Sequence, residues 1–214
     1  IPTSGEYLIV IGGVSLMQWE KFKAEPHDNW WANFVRAGRI RTQQIRAIAP
    51  DMPITWYVYK PSYIARSKVD GRNLIPFIDS VAETFNFKLV YFDNTKQLLD
   101  FMNNGTAARP RSQVRLGGFE FFGHSNKACL MFDYSNNLDS GSKCWLHEKE
   151  LGQIKRGVFA RDAFIKSWGC YSGELFVKSW NKATGTRMWG AIGKTQYMTD
   201  ELPTLVKTGA RWVR

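Results

Sequence analysis

A thiol and an imidazole each follow a short apolar run in this sequence. His124 comes directly after residues 118–123, and Cys170 comes directly after residues 164–169. Both runs are typical of buried strands that end at a glycine. The carboxyl ends of strands in an open α/β sheet form the crevice in which ligands bind, so we expect His124 and Cys170 to face the same crevice. An imidazole beside a cysteine converts the thiol into the nucleophilic thiolate.

A structural interpretation of these two residues stays open beside the chemical one. An unpaired cysteine is usually a small buried hydrophobe, and His124 would then be a turn residue held by local hydrogen bonds. The position of both residues at predicted strand ends, each next to a glycine, favours the chemical interpretation.

The composition predicts one globular domain, residues 1–214, that buries its core without a metal or disulfide bonds. No run of about 18 apolar residues predicts a membrane span, and the residues from Ile1 onward lack the charged and then apolar pattern of a secretion signal. Cys129, Cys144 and Cys170 are an odd number without a C-x-x-C pair, which argues against a disulfide framework and a zinc knuckle. We therefore expect a reducing site of action, in the cytoplasm or in a cytosol to which the protein is delivered.

The chain is basic, with 29 lysine and arginine residues against 19 aspartate and glutamate residues and a net charge of +10. Such an excess favours acidic partners, including nucleic acid. Trp30 and Trp31, close in sequence to Arg36, Arg39 and Arg46, would suit the bases and phosphates of a single strand, although tryptophan more often packs in a core. A basic module that binds nucleic acid or another polyanion therefore remains the alternative to an enzyme, and no membrane partner is expected.

Strands and helices alternate along most of the chain, which predicts a single α/β fold with a mostly parallel central sheet. Strands are expected at residues 7–11, 54–59, 87–92, 118–124, 128–132, 163–168 and 188–192. Helices are expected from a cap at Asp28 or Asn29 to residue 48, and at residues 74–85, 95–104, 145–154 and 173–184. Residues 60–73 and 133–143 are predicted to be surface loops. The second loop is a candidate wall of the crevice, and Asp133 and Ser135 are its candidate substrate-binding residues.

The two strand ends resemble those of the caspase-like cysteine peptidases (clan CD). In that group one strand ends in His-Gly, and the next core strand ends in a small residue followed by Cys. The matching segments are Phe121-Phe122-Gly123-His124-Ser125 and Ile165-Lys166-Ser167-Trp168-Gly169-Cys170. The segment that follows Cys170 resembles the CHAT and separase branch of the group. Ser125 stands where the group usually has glycine, and Gly169 stands where it often has alanine.

The resemblance implies a caspase-like three-layer sandwich and endopeptidase activity on a protein or peptide substrate, with no cofactor and no metal. Cys170 would attack the peptide carbonyl, and His124 would protonate the leaving amine and activate water. The backbone N–H groups of Ser125 and Cys170 would bind the oxyanion.

Two further patterns suggest other chemistry, but neither has the residues at the spacing that this chemistry requires. Residues 190–195 contain two glycines separated by two residues, whereas a phosphate-binding loop requires four, so this segment is predicted to be a strand-end turn. His147 and Glu148 begin like a zinc-protease helix, but Leu151 stands where the second histidine is needed.

Overall fold

The computed structural model describes residues 4–16, 30–135, 144–197 and 200–214. Its strands, in chain order, are β1 (Glu6–Ile11), β2 (Ile54–Tyr59), β3 (Lys88–Phe92), β4 (Gly105–Thr106), β5 (Arg109–Pro110), β6 (Leu116–Phe122), β7 (His124–Ser125), β8 (Cys129–Met131), β9 (Trp145–His147), β10 (Phe159–Ser167), β11 (Met188–Ile192), β12 (Thr195–Gln196), β13 (Thr204–Leu205) and β14 (Arg211–Val213). Its helices are α1 (Asn33–Ile48), α2 (Lys60–Asp70), α3 (Ile75–Phe85), α4 (Thr95–Asn104) and α5 (Phe176–Thr184), and a 3-10 helix covers Glu148–Gln153.

Seven strands form the central sheet, in the order β3-β2-β1-β6-β10-β11-β14. Neighbouring strands are parallel from β3 to β11, and β14 pairs with β11 in the antiparallel direction. β1, β2 and β6 are buried along their whole lengths. Such continuous burial is typical of parallel strands that are covered on both faces. The prediction of an α/β fold with a mostly parallel central sheet is confirmed.

Helices cover both faces of the sheet. On one face, α1 packs with Tyr63 of α2 and Ile78 of α3 against β1 and β2. On the other face, buried side chains of α4 and α5 pack against β6 and β10. The result is a three-layer sandwich, which buries both apolar faces of a parallel sheet.

The direction in which strands are added to the sheet changes at β1. β2 and β3 lie on one side of β1, whereas β6, β10 and β11 lie on the other side. The carboxyl ends of β1 and β6 therefore form the topological switch point, where open α/β sheets bind ligands. A Cβ at Gly13, just beyond β1, would lie 2.2 Å from Ser62 Oγ and 2.7 Å from Phe132 O. Glycine is required here because neighbouring segments approach the backbone so closely.

Two predicted segments are wrong. Residues 60–73, predicted to be a loop, contain α2, which has Pro61 in its first turn and ends at Gly71 with a φ of 67°. Its buried residues are Ser62 and Tyr63, too few to form the apolar stripe by which a helix is recognised. Residues 145–154, predicted to be one helix, form β9 and the 3-10 helix, because β8 pairs with the first three of them.

Most other elements lie within a few residues of their predicted positions. The predicted caps of the first helix, Asp28 and Asn29, lie outside the described residues, as do residues 136–143 of the second predicted loop. α4 begins as predicted, since the Asn94 side chain accepts a hydrogen bond from Gln97 N–H at 3.0 Å. Among the described helices, none combines the length and the apolar character that crossing a membrane requires.

Candidate active site

His124 and Cys170 lie at the same edge of the sheet, at the ends of neighbouring strands. β6 and β10 are parallel, and Ser167 pairs with Phe121 at their last register position. His124 and Cys170 each come three residues later. The backbone N–H of Trp168 donates to Phe121 O at 2.9 Å, which holds the strands together up to this point. The structure thus brings the two strand ends to one edge of the sheet, beside the switch point, and we refer to this edge as the crevice.

A side-chain hydrogen bond joins the two strand ends. Ser125 Oγ donates to the carbonyl oxygen of Cys170 at 2.6 Å. A Cβ at position 169 would lie 2.1 Å from the same Oγ and 3.0 Å from Gly123 O. The strand ends approach each other this closely because residue 169 has no side chain.

The sulfur of Cys170 lies against Thr195, which begins β12 just beyond the end of β11. Thr195 N–H donates to Sγ at 3.3 Å, and Thr195 Oγ1 lies 3.6 Å from Sγ. The carbonyl oxygen of Thr195 is 3.7 Å away and can accept the thiol proton. Within the described ranges, the sulfur makes its polar contacts with Thr195 and makes none with the imidazole of His124.

The imidazole of His124 packs against two aromatic rings. Phe34, in the first turn of α1, meets it edge-on at a centroid distance of 5.1 Å. Tyr134, which follows β8, lies at a centroid distance of 4.4 Å. His124 is half-buried in this position. The two rings hold the imidazole at the end of β6, on the face of the sheet that α1 covers.

Tyr197 connects the two strand ends from a third segment. Its hydroxyl accepts a hydrogen bond from Gly123 N–H at 3.3 Å and donates to Trp168 O at 3.2 Å. Its ring meets Phe34 edge-on at a centroid distance of 4.8 Å. The residues that follow β11 therefore hold both strand ends in place.

The backbone turns sharply after Cys170. Tyr171 has a φ of 59°, in the left-handed region that bulky residues rarely adopt. Its N–H donates to Gly193 O at 2.8 Å, and Gly173 N–H donates to Ala191 O at 2.9 Å, so the end of β11 holds the turn. Strained backbone of this kind is concentrated at functional sites.

The two N–H groups predicted to bind an oxyanion lie at this sheet edge. Asn126 N–H donates to Cys129 O at 3.1 Å in the β7–β8 hairpin. Because hydrogen-bonded and non-hydrogen-bonded pairs alternate in a hairpin, the adjacent pair of Ser125 and Leu130 is non-hydrogen-bonded, and Ser125 N–H points away from β8. Cys170 N–H has no backbone acceptor among the described residues. Both groups can therefore donate to a ligand.

The predicted substrate-binding residues Asp133 and Ser135 follow β8. Burial is the main cause of the raised pKa values of Tyr59 and Cys144, and the carboxylate of Asp133 raises both further. The backbone N–H of Asp133 donates to Cys144 O at 3.1 Å, which holds its segment beside Cys144. Ser135 is buried beside Tyr134, which contacts the imidazole. The role of either residue in substrate binding stays a prediction.

Cys170 differs from the other two cysteines in its surroundings. Cys129 is buried in β8, and burial raises its pKa to about 11. Cys144 is half-buried like Cys170, but desolvation raises its pKa to about 11. Cys170 is half-buried at the crevice. Because the thiolate is the reactive form, Cys170 is the cysteine best placed to act as a nucleophile.

A buried carboxylate holds the elements beneath the crevice. Glu120 in β6 is fully buried. It accepts hydrogen bonds from side chains of β1, α1 and the end of β10, namely Tyr7 Oη, Arg41 Nε and Trp168 Nε1. The guanidinium of Arg41 supplies the opposite charge that a buried carboxylate requires. This network fixes the relative positions of the strands whose ends form the crevice.

The sequence pattern predicts the two strand ends but not the residues that meet them. Residues 190–195 are predicted to be an ordinary turn, whereas Thr195 contacts the thiol and Tyr197 holds both strand ends. A parallel β11 must end at the same edge as β6 and β10, which places Thr195 at this edge but does not place it beside Cys170. The described residues contain no group of three or more histidine, cysteine, aspartate or glutamate side chains that could hold a metal ion.

Comparisons of the chain with protein-family models, with curated proteins and with solved structures found no match. The resemblance to the caspase-like peptidases therefore rests on the two strand-end motifs. The geometry around His124 and Cys170 is the structural feature that points to a function.

Proposed function

We propose that the chain is a cysteine-dependent peptidase in which Cys170 is the nucleophile and His124 is the general acid and base. The observation that carries this proposal is the position of both residues at the carboxyl ends of neighbouring parallel strands, beside the switch point of the sheet. The half-buried thiol and the left-handed backbone of Tyr171 support it.

In the proposed reaction, the Cys170 thiol passes its proton to His124, and its sulfur forms a bond with the carbonyl carbon of a peptide. Electrons of the carbonyl move to its oxygen, and each N–H donor, from Ser125 and Cys170, would contribute about 3 kcal/mol to the stability of this oxyanion. The carbon–nitrogen bond then breaks while His124 protonates the leaving amine. Water that loses a proton to His124 attacks the thioester, and the acid product and the free thiol are released.

The observed contacts are compatible with these roles. His124 acts on the leaving amine and on water, so the substrate carbonyl would lie between the imidazole and the sulfur. A direct hydrogen bond between the two side chains is not required for proton transfer to the amine. Catalytic hydrogen bonds also often shorten only when substrate binds.

The test is hydrolysis of a fluorogenic peptide library, combined with mass spectrometry of the acyl-enzyme. Cys170→Ala and His124→Ala should each lower kcat/KM by about a hundredfold or more. Cys144→Ala and His147→Asn are matched controls, because they change the same residue types outside the crevice, and asparagine can replace His147 as a helix cap. Hydrolysis that persists in Cys170→Ala, or an acyl group found on another residue, would overturn the proposal.

One surface favours the alternative function, a basic module that binds single-stranded nucleic acid. Trp30 and Phe77 are 46% and 49% exposed. The guanidinium of Arg72 lies 5.7 Å from the ring centre of Trp31 and 5.5 Å from that of Phe77. That of Arg36 lies 4.7 Å from the ring centre of Trp30, while it also pairs with Asp200 and donates to Tyr197 O. We define the arginine–aromatic surface as Trp30, Trp31, Arg36, Arg72 and Phe77. Cations beside exposed aromatic faces are the combination that single-strand binding proteins use.

The other two arginines of the predicted basic flank do not belong to this surface. Arg39 lies over Phe85, at the far end of α3. Arg46 donates hydrogen bonds to Pro50 O and Met52 O and therefore has a structural role.

The alternative is tested by binding of a fluorescently labelled single-stranded oligonucleotide at several salt concentrations. Affinity should fall with rising salt, with a logarithmic slope of about −0.7 for each phosphate contacted. Arg72→Ala should weaken binding, whereas Cys170→Ala should not. Lys178→Ala is the matched control, because this exposed residue lies on α5, on the opposite face of the sheet. Binding that Arg72→Ala leaves unchanged would exclude the arginine–aromatic surface as the site.

A further inference from the structure

Thr195 contacts the Cys170 sulfur with both its backbone and its hydroxyl group. It is 3% exposed, and its backbone N–H already donates to Sγ at 3.3 Å. Its hydroxyl donates to Trp168 O at 2.8 Å while lying 3.6 Å from Sγ. The same hydroxyl is therefore within reach of two acceptors, a carbonyl oxygen and the sulfur.

The hydroxyl of Thr195 has one proton to donate. While this proton is given to Trp168 O, the Thr195 oxygen can only accept a hydrogen bond from the thiol. Trp168 O has a second donor, because Tyr197 Oη lies 3.2 Å away. The carbonyl would therefore keep one hydrogen bond if the threonine hydroxyl turned to the sulfur.

We infer that Thr195 is a positioning residue for the nucleophile, and that its hydroxyl changes acceptor from Trp168 O to Cys170 Sγ when the thiol ionises. This inference rests on the proposed role of Cys170 as the nucleophile. The thiolate then receives two hydrogen bonds, from the backbone N–H and from the hydroxyl of Thr195. Hydrogen bonds to an ionised group are stronger than those to its neutral form, so the exchange favours the thiolate.

The experiment measures the rate at which iodoacetamide alkylates Cys170 as a function of pH, followed by mass spectrometry of the peptide that contains Cys170. In this reaction a sulfur–carbon bond forms, iodide leaves, and the thiol proton passes to the buffer. Thr195→Val removes the hydroxyl at nearly constant volume, and Thr195→Ser keeps it. The pH of half-maximal rate should rise by about half to one unit in Thr195→Val, the size of one hydrogen bond, and should return to the wild-type value in Thr195→Ser.

Tyr197→Phe tests the same change of acceptor by removing the other hydrogen-bond donor to Trp168 O. Without the Tyr197 hydroxyl, Trp168 O would retain the Thr195 proton, so the pH of half-maximal rate should again rise. This variant keeps the aromatic contact with Phe34, and it provides the test if Thr195→Val does not fold.

Profiles that are identical in the wild type, Thr195→Val and Tyr197→Phe would overturn the inference. A serine variant that behaves like the valine variant would also overturn it, since the hydroxyl would then have no part in the effect. Alkylation does not depend on peptide hydrolysis, so the two proposals fail separately. If the pH profile of alkylation depends on the hydroxyl but no peptide is hydrolysed, the peptidase proposal is wrong and the inference about Thr195 stands. If peptides are hydrolysed but the pH profile does not depend on the hydroxyl, the inference about Thr195 is wrong and the peptidase proposal stands.

Discussion

Ser125 Oγ occupies the space that a side chain at Gly169 would require, since a Cβ at position 169 would lie 2.1 Å from it. These are the two positions at which the strand ends differ from the caspase-like motifs, in which the first is usually glycine and the second is often alanine. The two differences are therefore in contact, and each makes room for the other. The serine also supplies a hydrogen bond to Cys170 O that a glycine would lack.

This contact predicts that substitutions at the two positions are not additive. Gly169→Ala should lower the free energy of unfolding by about 1–3 kcal/mol, because the added methyl group overlaps Ser125 Oγ. Ser125→Gly should cost about 1 kcal/mol through the lost hydrogen bond. The double variant should be more stable than the sum of the single effects by at least about 1 kcal/mol, as urea unfolding would measure.

Gly152→Ala is the matched control, because a Cβ at position 152 meets no atom within 4 Å. Its combination with Ser125→Gly should be additive. If Gly169→Ala and Ser125→Gly were also additive to within about 0.5 kcal/mol, the steric relation between the two positions would be wrong.

The fold was largely predictable because local signals agree with the tertiary packing. α4 has a capping asparagine at Asn94 and ends at Gly105, whose φ of 72° suits glycine. The strand run before His124 is apolar because β6 is covered on both faces. α2 was missed for the opposite reason: its apolar surface is small, and Pro61 and Gly71 suggest a loop as readily as the two ends of a short helix.

The candidate site was predictable only in part. A strand that ends in a glycine and a reactive residue can be recognised from the sequence, which identified His124 and Cys170. The partner of the thiol could not be recognised, because Thr195 meets Cys170 through the placement of β11 beside β10. The order of strands in a sheet is set by long-range packing, which no local pattern of residues encodes.

The environments of the three cysteines predict selective alkylation. At about pH 8, iodoacetamide should modify Cys170 first, since burial keeps Cys129 and Cys144 protonated with pKa values of about 11. Peptide mapping by mass spectrometry would give the rate at each cysteine. In denaturant all three should react at similar rates. Equal rates in the folded protein would contradict both the raised pKa values of Cys129 and Cys144 and the proposed role of Cys170.

The raised pKa values of the same two thiols predict a loss of stability in alkaline solution. Their pKa values rise from 9.0 in a free thiol to about 11 in the folded chain, so the folded state retains these protons after the unfolded state has released them. Their contribution is complete below pH 9.0 and is lost as the pH approaches 11. Between these values, the free energy of unfolding should fall less steeply in a Cys129→Ala, Cys144→Ala double variant than in the wild type. The free energy of unfolding would be measured by urea unfolding at each pH. If it fell equally steeply with pH in the two proteins, the two thiols would not account for the pH dependence.

The buried carboxylate beneath the crevice predicts a large effect of one conservative substitution. Glu120→Gln keeps the size of the side chain but leaves the guanidinium of Arg41 without its opposite charge, which should cost about 3–5 kcal/mol of unfolding free energy. Asp100→Asn is the matched control, because Asp100 pairs with Lys96 at the surface, where the two side chains are 55% and 82% exposed. This pair should contribute at most about 1 kcal/mol. Similar effects of the two substitutions would mean that the Glu120 network does not stabilise the strand ends.

The left-handed backbone at Tyr171 predicts a conflict between stability and reactivity. Tyrosine at a φ of 59° is strained, whereas glycine adopts this conformation freely, so Tyr171→Gly should raise the free energy of unfolding by about 1 kcal/mol. The turn that presents Cys170 would then be less restricted, and alkylation of Cys170 and peptide hydrolysis should slow. Asn86→Gly is the matched control, because Asn86 has a φ of 49° at the end of α3, away from the crevice. It should leave both rates unchanged. If Tyr171→Gly destabilised the protein while alkylation stayed at the wild-type rate, side-chain packing rather than backbone strain would be the reason for tyrosine at this position.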